Sequence, residues 1–236
     1  MKPVALLLPG LMCDRAVWAE AIAQLSGVAD CIVPDYQGAD SIEGMARAVL
    51  RQAPARFALA GHSMGGRVAL EVVRQAAQRV SRLALLDTGY QARPTDEAGA
   101  AEVRLRQGLM ALATQRGMRC MGREWLRGMV HPQRLEDASL IDPILDMIDR
   151  RTAQDFAREV RALLARPDAT TVLVGIACPT LLICGRQDSW SPPARHEAMA
   201  RLIPGSHLEL LDQCGHMATL EQPAQVASLL RGWVLG

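Results

Sequence analysis

At 236 residues, half of them hydrophobic, the chain is long enough for one large α/β domain, or a core domain with a modest insertion, to fold without disulfides or metals. A net charge of +1 sets up no strong field, which argues against nucleic acid or an anionic membrane as a partner. Six cysteines without CxxC or zinc-type spacing argue against a metal site or a disulfide framework and for a reducing, cytoplasmic compartment.

The chain opens with "MKPVALLLPG", whose apolar run is too short for a secretory h-region. It reads as a strand over Val4–Leu8, followed by a turn at Pro9-Gly10 and a helical pattern over Val17–Leu25. Further strands are expected at Asp30–Pro34, Phe57–Gly61, Leu83–Asp87, Thr180–Cys184 and His207–Leu211. Most of these runs are continuously apolar, as in strands covered on both faces. Helical patterns at Ile42–Gln52, Gly65–Gln78, Pro193–Leu202 and Pro223–Val234 separate them. Strand and helix in alternation predict a doubly wound, mainly parallel sheet of about six strands, an α/β fold with helices on both faces. The alternation lapses from about Arg93 to Asp168, where apolar residues recur only at helical spacing. The expected organisation is therefore a core built from residues 1–92 and 169–236, with residues 93–168 inserted as a helical cap. Five methionines fall in that insertion (Met110, Met118, Met121, Met129, Met147). They read first as helix core, and alternatively as an adaptable apolar lid. The longest uncharged run, "TTVLVGIACPTLLICG", is interrupted by Gly175 and Pro179 and is too short to span a bilayer. All basic residues but Lys2 are arginines, scattered without a basic run, and read as composition more than as phosphate binding.

Chemistry concentrates at "GHSMGG" (Gly61–Gly66), between a strand and an amphipathic helix. It fits G-x-S-x-G, in which a serine at a strained strand-to-helix turn leaves no room for side chains two positions to either side. Ser63 is the expected nucleophile, and the N–H of Met64, at the helix start, an expected oxyanion donor. Neither G-x-x-x-x-G-K nor G-x-G-x-x-G is present, so a phosphate loop fits poorly. A nucleophilic serine needs a base and an orienting acid later in the chain. His62 sits inside the turn, His131 and His196 fall in or beside helices, and His207 begins a strand. His216, in a loop after the last strand, is the expected base. Asp188, just past the strand Thr180–Cys184, is the favoured acid, with Asp87 at the end of "LALLD" as its rival. The loop after the first strand offers the N–H of Leu11 as the second oxyanion donor. Trp190 is a candidate for the pocket wall or for loop packing. Cys214, two residues before His216, has no oxyanion-donating helix after it and reads poorly as a thiol nucleophile.

Taken together, the P-G-L-M loop (Pro9–Met12), GHSMGG, LALLDT (Leu83–Thr88), GRQDSWSPP (Gly185–Pro193) and CGHMATLEQP (Cys214–Pro223) resemble the α/β-hydrolase superfamily. Within it the chain is similar to the small bacterial branch with a helical cap, which includes methyl esterases of the pimeloyl-carrier type, enol-lactonases and haloperoxidase-like esterases. The resemblance implies Ser63, Asp188 and His216 as a catalytic triad and Leu11 and Met64 as oxyanion donors. It also implies hydrolysis of a small-molecule ester without metal or organic cofactor, and the composition favours a mainly aliphatic pocket for small to medium, mainly apolar acyl groups over charged substrates. The sequence departs from the pattern twice. Pro9-Gly10 replaces the usual His-Gly, and the loop after the second strand is shortened to "DYQGADS" (Asp35–Ser41). Lactones, thioesters and C–C bonds remain alternative targets of the same residues, and a non-catalytic module on this fold remains a further alternative.

Overall fold

The computed structural model describes residues 2–236. Six strands form one parallel sheet: β1 (Val4–Leu8), β2 (Asp30–Ile32), β3 (Phe57–His62), β4 (Val80–Leu86), β5 (Thr180–Gly185) and β6 (His207–Leu211), in the order β2-β1-β3-β4-β5-β6. Every residue of β3 and of β5 is buried, which is why these segments are continuously apolar and do not alternate. The edge strand β2 is only three residues long and largely exposed. It stops short of the expected Pro34, a residue with no N–H to give a ladder.

Helices α1 (Ala19–Leu25), α2 (Ile42–Gln52) and α3 (Met64–Ala76) follow the first three strands. Between β4 and β5 come α4 (Glu97–Arg116), α5 (Met118–Leu126), α6 (Ala138–Asp149), α7 (Ala153–Leu164) and the short α8 (Thr170–Val174). The chain closes with α9 (Pro193–Leu202), α10 (Ala218–Glu221) and α11 (Pro223–Leu235). Helix starts follow the local chemistry. Ser41 accepts from the Gly44 N–H at α2, and Thr152 and Asp155 form a reciprocal capping box at α7. Inside the insertion, Met118, Met121, Met129 and Met147 are buried, and they belong to the helical core.

Strand order reverses between β1 and β3, since β2 lies on one side of β1 and β3 on the other. Open α/β sheets bind ligands outside the carboxyl ends of strands at such a switch point. The Pro9–Met12 loop leaves β1 there, and Ser63 leaves β3 beside it.

Candidate active site

Ser63 has φ 55° and ψ −116°, outside the usual regions for a side-chain-bearing residue. The two flanking glycines make this turn possible. A Cβ on Gly61 would lie 2.3 Å from the Gly65 carbonyl oxygen, and one on Gly65 would lie 2.2 Å from that of Leu8. The Ser63 N–H donates to the Leu86 carbonyl at 2.9 Å, and its carbonyl accepts from Thr88 Oγ1 at 2.6 Å. The turn is thus fastened from β4 as well as from its own strand.

The Ser63 hydroxyl lies 2.8 Å from His216 Nε2, and His216 Nδ1 lies 2.8 Å from Asp188 Oδ2. A carboxylate only accepts, so Nδ1 carries the ring proton and Nε2 accepts from the serine. Asp188 Oδ1 accepts from the N–H groups of Trp190 and Ser191, both at 2.8 Å. Burial raises the Asp188 carboxyl, but His216 and these N–H donors outweigh it and hold it below the usual range. The structure thus brings together the three side chains that the sequence singled out in order.

Asp87 does not reach the His216 ring. Its carboxylate accepts from the Gly185 N–H at 3.0 Å and the Ala218 N–H at 3.3 Å. Burial, then Asp188, pushes this carboxyl well above the usual range. Asp87, Cys184 and Asp188 place potential metal-ligand atoms within 4.8 Å of one another, but both carboxylates are already engaged by N–H donors. Burial raises the Cys214 thiol far above its ordinary value, which suits a core residue and not a thiolate nucleophile. All six cysteines are unpaired thiols.

Several residues that sequence reasoning passed over hold this arrangement. His62 Nε2 donates to the His216 carbonyl at 2.8 Å, and burial lowers its imidazole to about 4. It is therefore neutral, and its 3.8 Å approach to Asp87 is not an ion pair. The N–H groups of His216 and Met217 donate to the Met129 carbonyl at 2.7 and 3.2 Å, so the insertion pins the histidine loop directly. Glu221 accepts from Gly215, Met217 and His131 N–H groups at 3.0, 3.2 and 2.7 Å. The insertion reaches the acid loop too, where Ser189 Oγ donates to the Gly128 carbonyl at 2.8 Å.

Leu11 and Met64, the expected oxyanion donors, are both buried. Their loop is tied down on both sides of Leu11. Tyr36 Oη donates to the Pro9 carbonyl at 2.8 Å, and the Met12 N–H donates to Glu159 Oε2 at 2.8 Å. Met12 has φ 59°, so this left-handed residue is held by a carboxylate from α7.

A cavity of about 600 Å³ opens on Ser63 and His216. One wall is apolar, with Pro94, Ala98, Ala101, Leu105 and Leu163. Trp190 lines it, its ring 5.3 Å from the Arg106 guanidinium. The rest departs from the mainly aliphatic lining that composition suggested. Arg67, Arg106, Arg166 and Arg195 line it, brought together from four separate parts of the chain. Among the described residues a second cavity, of about 510 Å³, lies beyond the Pro9–Met12 loop and contains neither Ser63 nor His216. Three of its four arginines are paired, Arg150 with Asp14, Arg151 with Glu159 and Arg158 with Asp155.

Residues 5–229 match the model of the alpha/beta hydrolase family. The chain belongs to this family. The hydrolase is 30% identical over 229 residues to a pimeloyl-[acyl-carrier protein] methyl ester esterase of Neisseria meningitidis serogroup A, spanning 94% of this chain and 70% of that protein. A thermophilic esterase from Thermogutta terrifontis superposes with a TM-score of 0.84 at 26% identity, covering 99% of the hydrolase and 90% of that chain. The enol-lactonase from Burkholderia xenovorans LB400 superposes with a TM-score of 0.88 at 22% identity over 100% and 92%, a likeness that shows the fold. The hydrolase is thus an enzyme of the esterase-like kind.

Proposed function

We propose that this hydrolase cleaves carboxylic esters of small to medium size by two-step acyl transfer through Ser63, His216 and Asp188. The observation that carries the reading is the unbroken hydrogen-bonded chain from Ser63 Oγ through His216 to Asp188, 2.8 Å at each link, at the floor of a cavity. His216 takes the serine proton as Oγ attacks the ester carbonyl. Asp188 fixes the imidazole tautomer and stabilises the imidazolium. The N–H groups of Leu11 and Met64 receive the oxyanion, each contributing about 2.7–4 kcal/mol. His216 then protonates the leaving alcohol and activates the water that releases the acid. The chemistry calls on no metal or organic cofactor. Helices α4 to α7 act as the cap, the segment at Gly128–Met129 joining it to the acid and base loops. The unpaired thiols support a reducing, cytoplasmic compartment.

Fluorophosphonate labelling of the intact chain tests the nucleophile. Label is expected on Ser63 and is expected to vanish in Ser63→Ala. An unlabelled Ser63 refutes the hydrolytic reading and leaves a binding module. A panel of p-nitrophenyl esters, lactones, acyl thioesters and vinylogous diketones then fixes the bond. Preference for the esters supports the reading, and turnover confined to another class replaces it.

A further inference from the structure

The cavity carries a charge pattern that acyl transfer does not use. Of its four guanidiniums, Glu102 serves two. It accepts from Arg106 Nε at 3.0 Å and from Arg166 Nη1 and Nη2, both at 2.8 Å. Among the described residues no carboxylate forms an ion pair with Arg67 or Arg195. Arg67 Nη1 donates to the Gln91 carbonyl at 2.8 Å and Arg195 Nη1 to the Trp190 carbonyl at 3.2 Å. These carbonyls aim the two guanidiniums without neutralising them.

The two cations converge at Gly89. A Cβ built there would lie 2.8 Å from Arg67 Nη2 and 3.1 Å from Arg195 Nη1, so these two nitrogens are no more than about 6 Å apart, close enough for one anion to bridge them. Gly89 does not have a positive φ, and a side chain there would strike both arginines, so the glycine is what lets the two guanidiniums approach each other. Two like charges brought together in a partly enclosed cavity repel each other, and an anion between them removes that cost. In keeping with this, burial, Arg166 and Arg195 pull Arg67 well below the usual arginine range. Position fits a substrate group. Arg67 follows Ser63 by one turn of α3, about 6 Å along the axis, and both line the cavity.

We propose that Arg67 and Arg195 form an anion subsite that selects esters bearing a second, negatively charged group a few atoms from the scissile bond. The group is a carboxylate or a phosphate, since both present paired oxygens to two converging guanidiniums. The inference rests on the serine-esterase reading above and gives it a substrate class. The apolar wall at Pro94, Ala98 and Leu105 takes the aliphatic stretch, and the arginines take its charged end.

Matched pairs test it on the full chain. Mono-p-nitrophenyl adipate is compared with p-nitrophenyl hexanoate, and 2-phosphoethyl butyrate with ethyl butyrate. At low ionic strength kcat/KM is expected to favour one charged member by at least about tenfold, mostly through KM, and the gap is expected to shrink as NaCl is raised. Which pair shows the gap tells carboxylate from phosphate. Glutarate or inorganic phosphate, respectively, is expected to inhibit competitively. Arg67→Gln and Arg195→Gln are each expected to cut the charged-to-neutral ratio about tenfold or more. The rate of fluorophosphonate labelling at Ser63 in each variant shows whether the site is still assembled. Should wild type label at Ser63, prefer both neutral esters and resist both anions, the subsite is refuted while the esterase reading stands. Absence of label brings down that reading itself, and this inference with it.

Discussion

Replacing Asp188 with Asn changes one atom and tests the proton relay. Asp188 Oδ1 accepts two N–H groups at 2.8 Å, so the Asn carbonyl must keep that position. The flipped amide would strand both donors, at a cost of about 2–4 kcal/mol. The new NH2 therefore faces His216 Nδ1, where Oδ2 stood at 2.8 Å. It donates into that nitrogen and drives the ring proton to Nε2, which then points N–H at Ser63 Oγ and cannot take its proton. The same change in a serine protease triad costs about 10⁴ in kcat, so a loss of about 10³–10⁴, or 4–5.5 kcal/mol of barrier, is expected. Asp87→Asn is the control. It surrenders only the 3.3 Å bond from Ala218, about 1–2 kcal/mol, and lowers Tm by roughly 3–6 °C. Its kcat stays within roughly threefold, as Asp87 does not touch the His216 ring. Steady-state kinetics on a p-nitrophenyl ester, with thermal unfolding of both variants, decides the matter. A large kcat loss in Asp87→Asn with near-normal Asp188→Asn would refute the assignment of the acid.

Gly65→Ala drives a methyl into the Leu8 carbonyl at 2.2 Å and should cost about 3 kcal/mol or more, visible as a Tm drop of roughly 6–12 °C with loss of activity. An unchanged Tm would remove the steric account of the turn. Glu159→Ala frees the Met12 N–H and with it the loop that carries Leu11. It is expected to lower kcat about tenfold with KM little changed, and Glu159→Gln, which keeps an acceptor, should restore most of the loss. Equal defects in both variants would show that only the Arg151 pairing matters. Glu102 gives a pH signature. Its carboxyl is raised by burial but lowered overall to about 2, chiefly by Arg166 and Arg106, from 4.5 when unfolded. Its contribution, about 1–2 kcal/mol after screening, is thus complete above the unfolded value and is lost as pH falls from 4.5 toward 2. Urea midpoints between pH 6 and 3 should show this slope in wild type and a shallower one in Glu102→Gln.

Local chemistry made much of the fold and of the hydrogen-bonded chain at Ser63 legible. Continuous apolar runs are what strands covered on both faces need, and β3 and β5 are buried throughout. Gly61 and Gly65 announced a turn with no room for side chains, and both abut backbone at less than 2.5 Å. Asp188 and His216 were legible because each follows a strand, and a parallel sheet delivers the carboxyl ends of its strands to one edge. The choice between Asp188 and Asp87 was open in the sequence, because it depends on which N–H groups surround each carboxylate.

The clasp on His216 left no local pattern. His62 grips its carbonyl from 154 positions away, and the Met129 carbonyl holds its N–H from the inserted helices. Glu159 meets Met12 across 147 positions. The arginines show the limit most clearly. In one dimension they are scattered charges in a nearly neutral chain. Folding α3, α4, α9 and the loop after α7 around one cavity concentrates four of them beside Ser63 against a single glutamate. The strands, the turn at Ser63 and the chain order Ser63, Asp188, His216 can be read in one dimension, since each shows in the residues along the chain. The charge of the cavity emerges on folding alone, because a field is the sum over residues that meet in space.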